Sequence, residues 1–271
     1  MLKWRFATAL VLLPLVLGAV FFLPTGGFAL AAAVVVALAA WEWTRLIGIA
    51  SLRDRRLHVF ALLVLMAGSA LLLADAVGAA VILTLGALAW VVLAFWLLRF
   101  ERGLTADTAV TGATAGAVGL LLFVPAWFAL VWLHARPDGA WMLLTVFVLT
   151  WAADVGAYFA GRAFGRRRLA PRTSPGKTLE GAAGGLILTL AAAGLLAAYF
   201  PVALPGGATL VMLALLTFVA SVLGDLVESM IKRRCGVKDS GALLPGHGGI
   251  LDRIDSLTAT APVFATGLLW L

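Results

Sequence analysis

Cysteine is almost absent, with Cys235 alone among 271 residues. An intrachain disulfide is therefore excluded, as is a thiolate metal cluster built by one chain. Cys235 reads as an incidental loop or helix-end residue. Histidine is nearly as scarce, at three residues, and none has a partner at ligand spacing, which argues against zinc. His58 and His134 read as interfacial and functionally silent. Only 12% of residues are charged, too few to cover two or more water-soluble domains. There is no convincing internal repeat, so the inverted-repeat signature of many transporters is missing.

What fills the chain is apolar surface: 63% of residues are hydrophobic and the mean hydropathy is +1.08. Most apolar runs are apolar all round, at the roughly 20-residue length that crosses lipid. The expected fold is all-α, a polytopic integral membrane helical bundle of about nine transmembrane helices. The spans fall near residues 6–24, 27–45, 57–74, 79–98, 112–133, 141–160, 180–200, 208–230 and 256–271. The first run follows Met-Leu-Lys-Trp-Arg and no clear cleavage site ends it, so it reads as an uncleaved helix, with Pro14 as a possible kink. Residues 1–140 supply about five spans, and residues 141–271 form a catalytic region of about four.

Connector charge tests this topology independently. With the N-terminus cytoplasmic, 19 of the 20 basic residues fall on the inner side and only Arg136 lies outside, in agreement with the positive-inside bias. The net charge of +7 is thereby explained by topology and anionic headgroups or phosphorylated substrates, without nucleic acid. Trp4, Trp41, Trp43, Trp96, Trp132, Trp141 and Trp270 lie near span ends, and an aromatic belt is the sufficient explanation for most of them. Small residues at Ala31 to Ala40, Thr111 to Gly119 and Gly181 to Gly185 allow close helix approach.

Polar chemistry is concentrated on the cytoplasmic side. Glu42 either snorkels or pairs with Arg45 at a helix end, or lines a polar cavity. Asp154 lies deeper in its span, where an ionised group needs a partner, water or metal. Ser174, Lys177 and Thr178 have the chemistry of a phosphate site, although the GxxxxGK(S/T) spacing of a nucleotide-binding loop is absent. Lys177 offers a point charge, the hydroxyls offer hydrogen bonds, and the helix beginning near Thr178 offers unpaired N–H groups. Arg166, Arg167 and Arg168 read as topology signals or headgroup contacts.

The stretch from Ser229 to Ser256 is the most polar. Asp225, Glu228 and Lys232 share a helix face by spacing, and Asp252 and Asp255 follow with the same three-residue separation as Asp225 and Glu228. These spacings fit either one buried ion-pair network or, if Asp225 and Asp252 converge, hard ligands for Mg²⁺ bridged to nucleotide phosphates. Lys177, Lys232, Arg233, Lys238 and Arg253 would oppose the charge of phosphorylated substrates. His247, Gly248 and Gly249 allow close backbone approach to phosphate, with His247 as a possible contact.

Residues 229–255, with their SxxKR start, Lys238-Asp239 pair, PGHGG segment and terminal DRxD, resemble the signature of the bacterial phosphatidate cytidylyltransferases, also called CDP-diglyceride synthases. Residues 154–181 are similar to a second segment of that family. The resemblance implies cytidylyl transfer from CTP to phosphatidic acid in a bacterial cytoplasmic (inner) membrane, with the site facing the cytoplasm. It also implies Mg²⁺, a possible second cation such as K⁺, and a homodimer. Carried onto this chain, Asp225 and Asp252 would be the metal-associated carboxylates, with Glu228 and Asp255 as further candidate ligands. Lys177, Lys232 and Arg253 complete the candidate catalytic set. Asp154, Arg162, Ser174, Thr178, Arg233, Lys238, Asp239, His247, Gly248 and Gly249 join Lys177 as candidate substrate contacts. CTP-dependent phosphorylation of a polyprenol or other lipid alcohol, and transport of an anionic substrate, are the competing readings.

Overall fold

Each expected apolar run is a helix in the computed structural model, which describes residues 2–104, 112–200, 206–241 and 248–271. Among the described residues the helices are α1 (Leu2–Phe22), α2 (Thr25–Leu46), α3 (Leu52–Ala70), α4 (Ala76–Glu101), α5 (Gly112–His134), α6 (Gly139–Phe164), α7 (Leu179–Tyr199), α8 (Gly207–Arg234) and α9 (Leu251–Trp270). Six of them, α2 and α4 to α8, are long and apolar enough to cross a membrane.

The helices outrun the apolar stretches where the chemistry lies. α8 continues to Arg234 and α9 begins at Leu251, because backbone hydrogen bonding carries a helix past the point where hydropathy ends. Gly236 then stops α8 in the left-handed region, at φ 72°; its N–H bonds Arg233 O and the Val237 N–H bonds Lys232 O, a glycine-terminated helix end. Among the described residues the strands form one hairpin, β1 (Arg168–Ala170) and β2 (Ser174–Thr178), paired antiparallel. Ser174 to Thr178 is therefore extended, and α7 starts only after Thr178, whose Oγ1 accepts the Gly181 N–H at 3.1 Å as an N-cap.

α5 and α9 occupy the centre, α9 packing on α8, α5 and α4. Two tryptophans assigned to the interfacial belt, Trp43 and Trp132, are instead buried. Trp43 donates its indole N–H to Ala115 O at 3.1 Å and fills the space that a side chain at Gly119 would take. Trp90 likewise donates to Thr258 O at 3.0 Å. Each bond satisfies a polar tip inside an apolar wall, at a net gain of about 1 kcal/mol.

Glycine determines two helix crossings that build the site. A Cβ at Gly224 would stand 2.7 Å from Asp255 O and 2.9 Å from Ser256 Cα, so α8 and α9 meet backbone to backbone just beside their acidic residues. A Cβ at Gly156 would lie 2.9 Å from Gly185 Cα, which closes α6 onto α7 through the Gly181 to Gly185 stretch.

Candidate active site

The α8–α9 crossing gathers the charged residues of both helices. Lys232 Nζ lies 2.9 Å from Glu228 Oε2 and 2.7 Å from Asp252 Oδ1, with the Lys232, Glu228 and Asp252 side chains only 12%, 5% and 7% exposed. Asp252 also accepts the N–H groups of Gly249 at 2.8 Å and Ser240 at 3.1 Å. A buried carboxylate with a cation and two amides is well satisfied. Asp255 accepts the Ser256 N–H at 2.7 Å and, with Glu228, borders a small apolar recess at Trp43 and Trp90.

A second centre opens beside the first. α6, the hairpin, α7 and α8 enclose a cleft of about 460 Å³ lined by Asp154, Arg162, Lys177, Thr178, Ser221 and Asp225, among others. Lys177, carried on β2, forms an ion pair with Asp225 Oδ2, the two side chains being 29% and 31% exposed. Asp225 Oδ1 accepts the Ser229 hydroxyl at 3.2 Å. Arg162 donates to the Tyr158 hydroxyl at 3.2 Å. A cleft lined by both cations and carboxylates suits a polyanion together with a counter-cation.

The structure thus does not bring Asp225 and Asp252 into one ligand group: each is held by a different lysine. Asp154, rather than Asp252, shares the cleft wall with Asp225. Among the described residues no group of three or more His, Cys, Asp or Glu is set to hold a metal. The donor chemistry still fits Mg²⁺, which needs one or two carboxylates plus substrate phosphates, and Asp154 and Asp225 are the two carboxylates of the cleft lining. Ser174 lies opposite Ala170 at the far end of β2, away from the cleft lining. Arg233, Lys238, Asp239 and Arg253 are exposed on the same end of the bundle. Gly248, at φ 80°, sits where a Cβ would meet Asp252 Oδ2 at 2.7 Å. His247 lies outside the described residues.

Three carboxylates that sequence reasoning left aside or read otherwise hold the connectors in place. Glu180 accepts the N–H groups of Arg166 at 3.0 Å and Arg167 at 3.1 Å at the base of the hairpin. Glu101, at the end of α4, accepts those of Arg172 at 3.2 Å and Thr173 at 2.7 Å at its turn. Gripped at both ends, the hairpin presents Lys177 to the cleft. Glu42 is 2% exposed and neither snorkels nor lines the cleft; its Oε2 accepts the Ser240 hydroxyl at 3.1 Å and the Leu251 N–H at 2.9 Å. The only local signal for any of the three was the position of Glu180, two residues after a helix cap.

Comparison with known proteins gives an independent reading of the whole chain. The Cytidylyltransferase family matches residues 3–270. A phosphatidate cytidylyltransferase of Pseudomonas aeruginosa is 48% identical over 275 residues, covering 100% of this chain and 97% of that protein. One of Haemophilus influenzae is 41% identical over 291 residues, covering 98% of each. One of Brucella suis is 52% identical over 126 residues, covering 46% of each. Matched along nearly its whole length, this chain belongs to the cytidylyltransferase family that contains the phosphatidate cytidylyltransferases.

Proposed function

We propose that this protein transfers a cytidylyl group from CTP to phosphatidic acid, releasing pyrophosphate and leaving CDP-diacylglycerol in the membrane. The observation that carries the reading is the cleft: in a chain matched end to end by phosphatidate cytidylyltransferases, it sets Lys177 and Arg162 against Asp154 and Asp225. A phosphate oxygen of phosphatidate attacks the α-phosphorus of CTP. The new P–O bond forms as the bond to the β-phosphate bridge breaks, and the bridge oxygen leaves with the electron pair on pyrophosphate. The nucleophile is already anionic, so no strong protein base is required. The protein's contribution is alignment and neutralisation of charge on the phosphoryl oxygens.

Lys177 exchanges its partner Asp225 for substrate phosphate, and Arg162 extends the cationic wall. Mg²⁺ held by Asp225 and Asp154 with substrate oxygens would offset charge on the triphosphate; a second cation such as K⁺ belongs to the same proposal. The cleft lining is drawn wholly from residues 153–225, which supports a catalytic region in 141–271, with residues 1–140 as its scaffold. The one-sided connector charge supports nine spans in a bacterial inner membrane, N-terminus and site on the cytoplasmic face. A homodimer follows from the family resemblance alone. A CTP-dependent lipid kinase or an anion transporter finds no support in the family match.

The test is purified protein in phosphatidate-containing mixed micelles with CTP labelled at the α-phosphorus, with Mg²⁺ or with chelator. Label should enter the lipid with matching pyrophosphate release, and chelator should stop both. Folded protein that makes no labelled lipid, or that releases CDP, would sink the reading.

A further inference from the structure

We infer that Glu42, on α2, is a positioning residue: it fixes the two described ends of the connector between α8 and α9, at Ser240 and Leu251, and thereby sets where Asp252 and Lys232 stand. Only its kinetic test rests on the transfer reaction proposed above. A carboxylate buried among Trp41, Trp43 and the apolar bundle costs several kcal/mol unless donors meet it. Glu42 Oε2 has two, from elements about 200 residues away in sequence: the Ser240 hydroxyl and the Leu251 N–H, at separations of 198 and 209 residues.

The Leu251 N–H is one of the unpaired donors at the start of α9, and Ile250 at the N-cap offers no side-chain bond. Glu42 supplies that cap from another helix, with its charge at the positive end of the α9 dipole. Asp252 grips the same connector from the other side, through the N–H groups of Ser240 and Gly249. Ser240 is thus tied to Glu42 by its hydroxyl and to Asp252 by its amide, so neither carboxylate shifts without the other. Space reinforces the coupling. A Cβ at Gly249 would overlap Glu42 Oε2, and one at Gly241 would overlap Glu42 Oε1. The path runs from Glu42 through Ser240 and Gly249 to Asp252, and from Asp252 to Lys232 at 2.7 Å. Glu42 does not line the cleft, so it acts through these residues.

The test compares wild type with Glu42→Ala, Glu42→Gln and Gly241→Ala, the last displacing the carboxylate while keeping its charge. Backbone hydrogen exchange across residues 248–253 is read beside kcat and the KM for phosphatidate. In Glu42→Ala, exchange should rise in that segment and not in α5, kcat should fall about 100-fold through misplacement, and KM should stay within about twofold. Gly241→Ala should move both readouts the same way, and it carries the test if Glu42→Ala does not fold. Glu42→Gln, whose carboxamide oxygen can accept both bonds, should recover most of the loss. Wild-type turnover or wild-type exchange in Glu42→Ala would overturn the inference. So would exchange raised evenly through the bundle, or a Gln variant as impaired as Ala. If wild type itself makes no labelled lipid, the transfer reading falls, and the exchange measurement alone decides the role of Glu42.

Discussion

Two lysines serve two carboxylate centres at one end of this bundle, and their surroundings differ. Lys177 pairs with Asp225 in an open cleft, both nearly a third exposed, whereas Lys232 is enclosed between Glu228 and Asp252. A pair exposed to that degree contributes at most about 1 kcal/mol to stability, so it can separate at little cost when a phosphate arrives. The enclosed lysine cannot leave without stranding two buried carboxylates. On the proposed reaction, this difference suits the open pair to ligand exchange and the closed cluster to holding α8, and with it Asp225 in the cleft, against α9.

Removing the closed lysine should have the largest effect. Lys232→Ala is expected to destabilise the protein by about 3–5 kcal/mol, the usual consequence of unpairing buried charge, read as a lower midpoint for denaturant unfolding in micelles. Lys177→Ala should do the reverse, leaving that midpoint nearly unchanged while turnover falls about 10²–10³-fold, the scale for losing one preorganised charge on a reacting group. If both variants unfold alike, or if both turn over normally, the two centres are not distinct and the contrast fails.

That contrast was only half legible in the sequence. The i, i+4 spacing correctly matched Glu228 with Lys232, and that pair is present at 2.9 Å. Local spacing could not say that Asp252 returns to Lys232 while Asp225 turns to Lys177, because both pairings depend on how α8, α9 and the hairpin cross. Apolar length announced the helices but not their ends: Lys232 and Asp252 lie on helix beyond the hydrophobic runs. Trp43 and Trp132 were misread because an indole near a span end looks the same whether it faces headgroups or a neighbouring helix. Glu42 and Glu101 escaped for a related reason. Their partners are main-chain and hydroxyl donors on distant segments, 72 residues away for Glu101 and Thr173, and a backbone donor leaves no mark in the sequence.

Glu101 gives the smallest and most discriminating comparison. It binds the hairpin turn through N–H groups, not through a charge in the cleft, so its effect on Lys177 must be indirect. Glu101→Gln keeps an acceptor oxygen but replaces charge-assisted bonds with neutral ones, each roughly half as strong. The expected loss is about 1 kcal/mol of local hairpin stability, or at most about tenfold in turnover, since the base of the hairpin is still held by Glu180. Hydrogen exchange at residues 168–178 should rise with no change in the 248–253 segment. That separation matters, because the two lysine centres are braced by different segments: Glu101 and Glu180 tie down the hairpin that carries Lys177, and Glu42 ties Ser240 and Leu251 beside the helices that carry Lys232 and Asp252. Exchange that rises in both segments would mean the hairpin and the α8–α9 connector move as one unit, and Lys177 and Lys232 would then belong to one cooperative site.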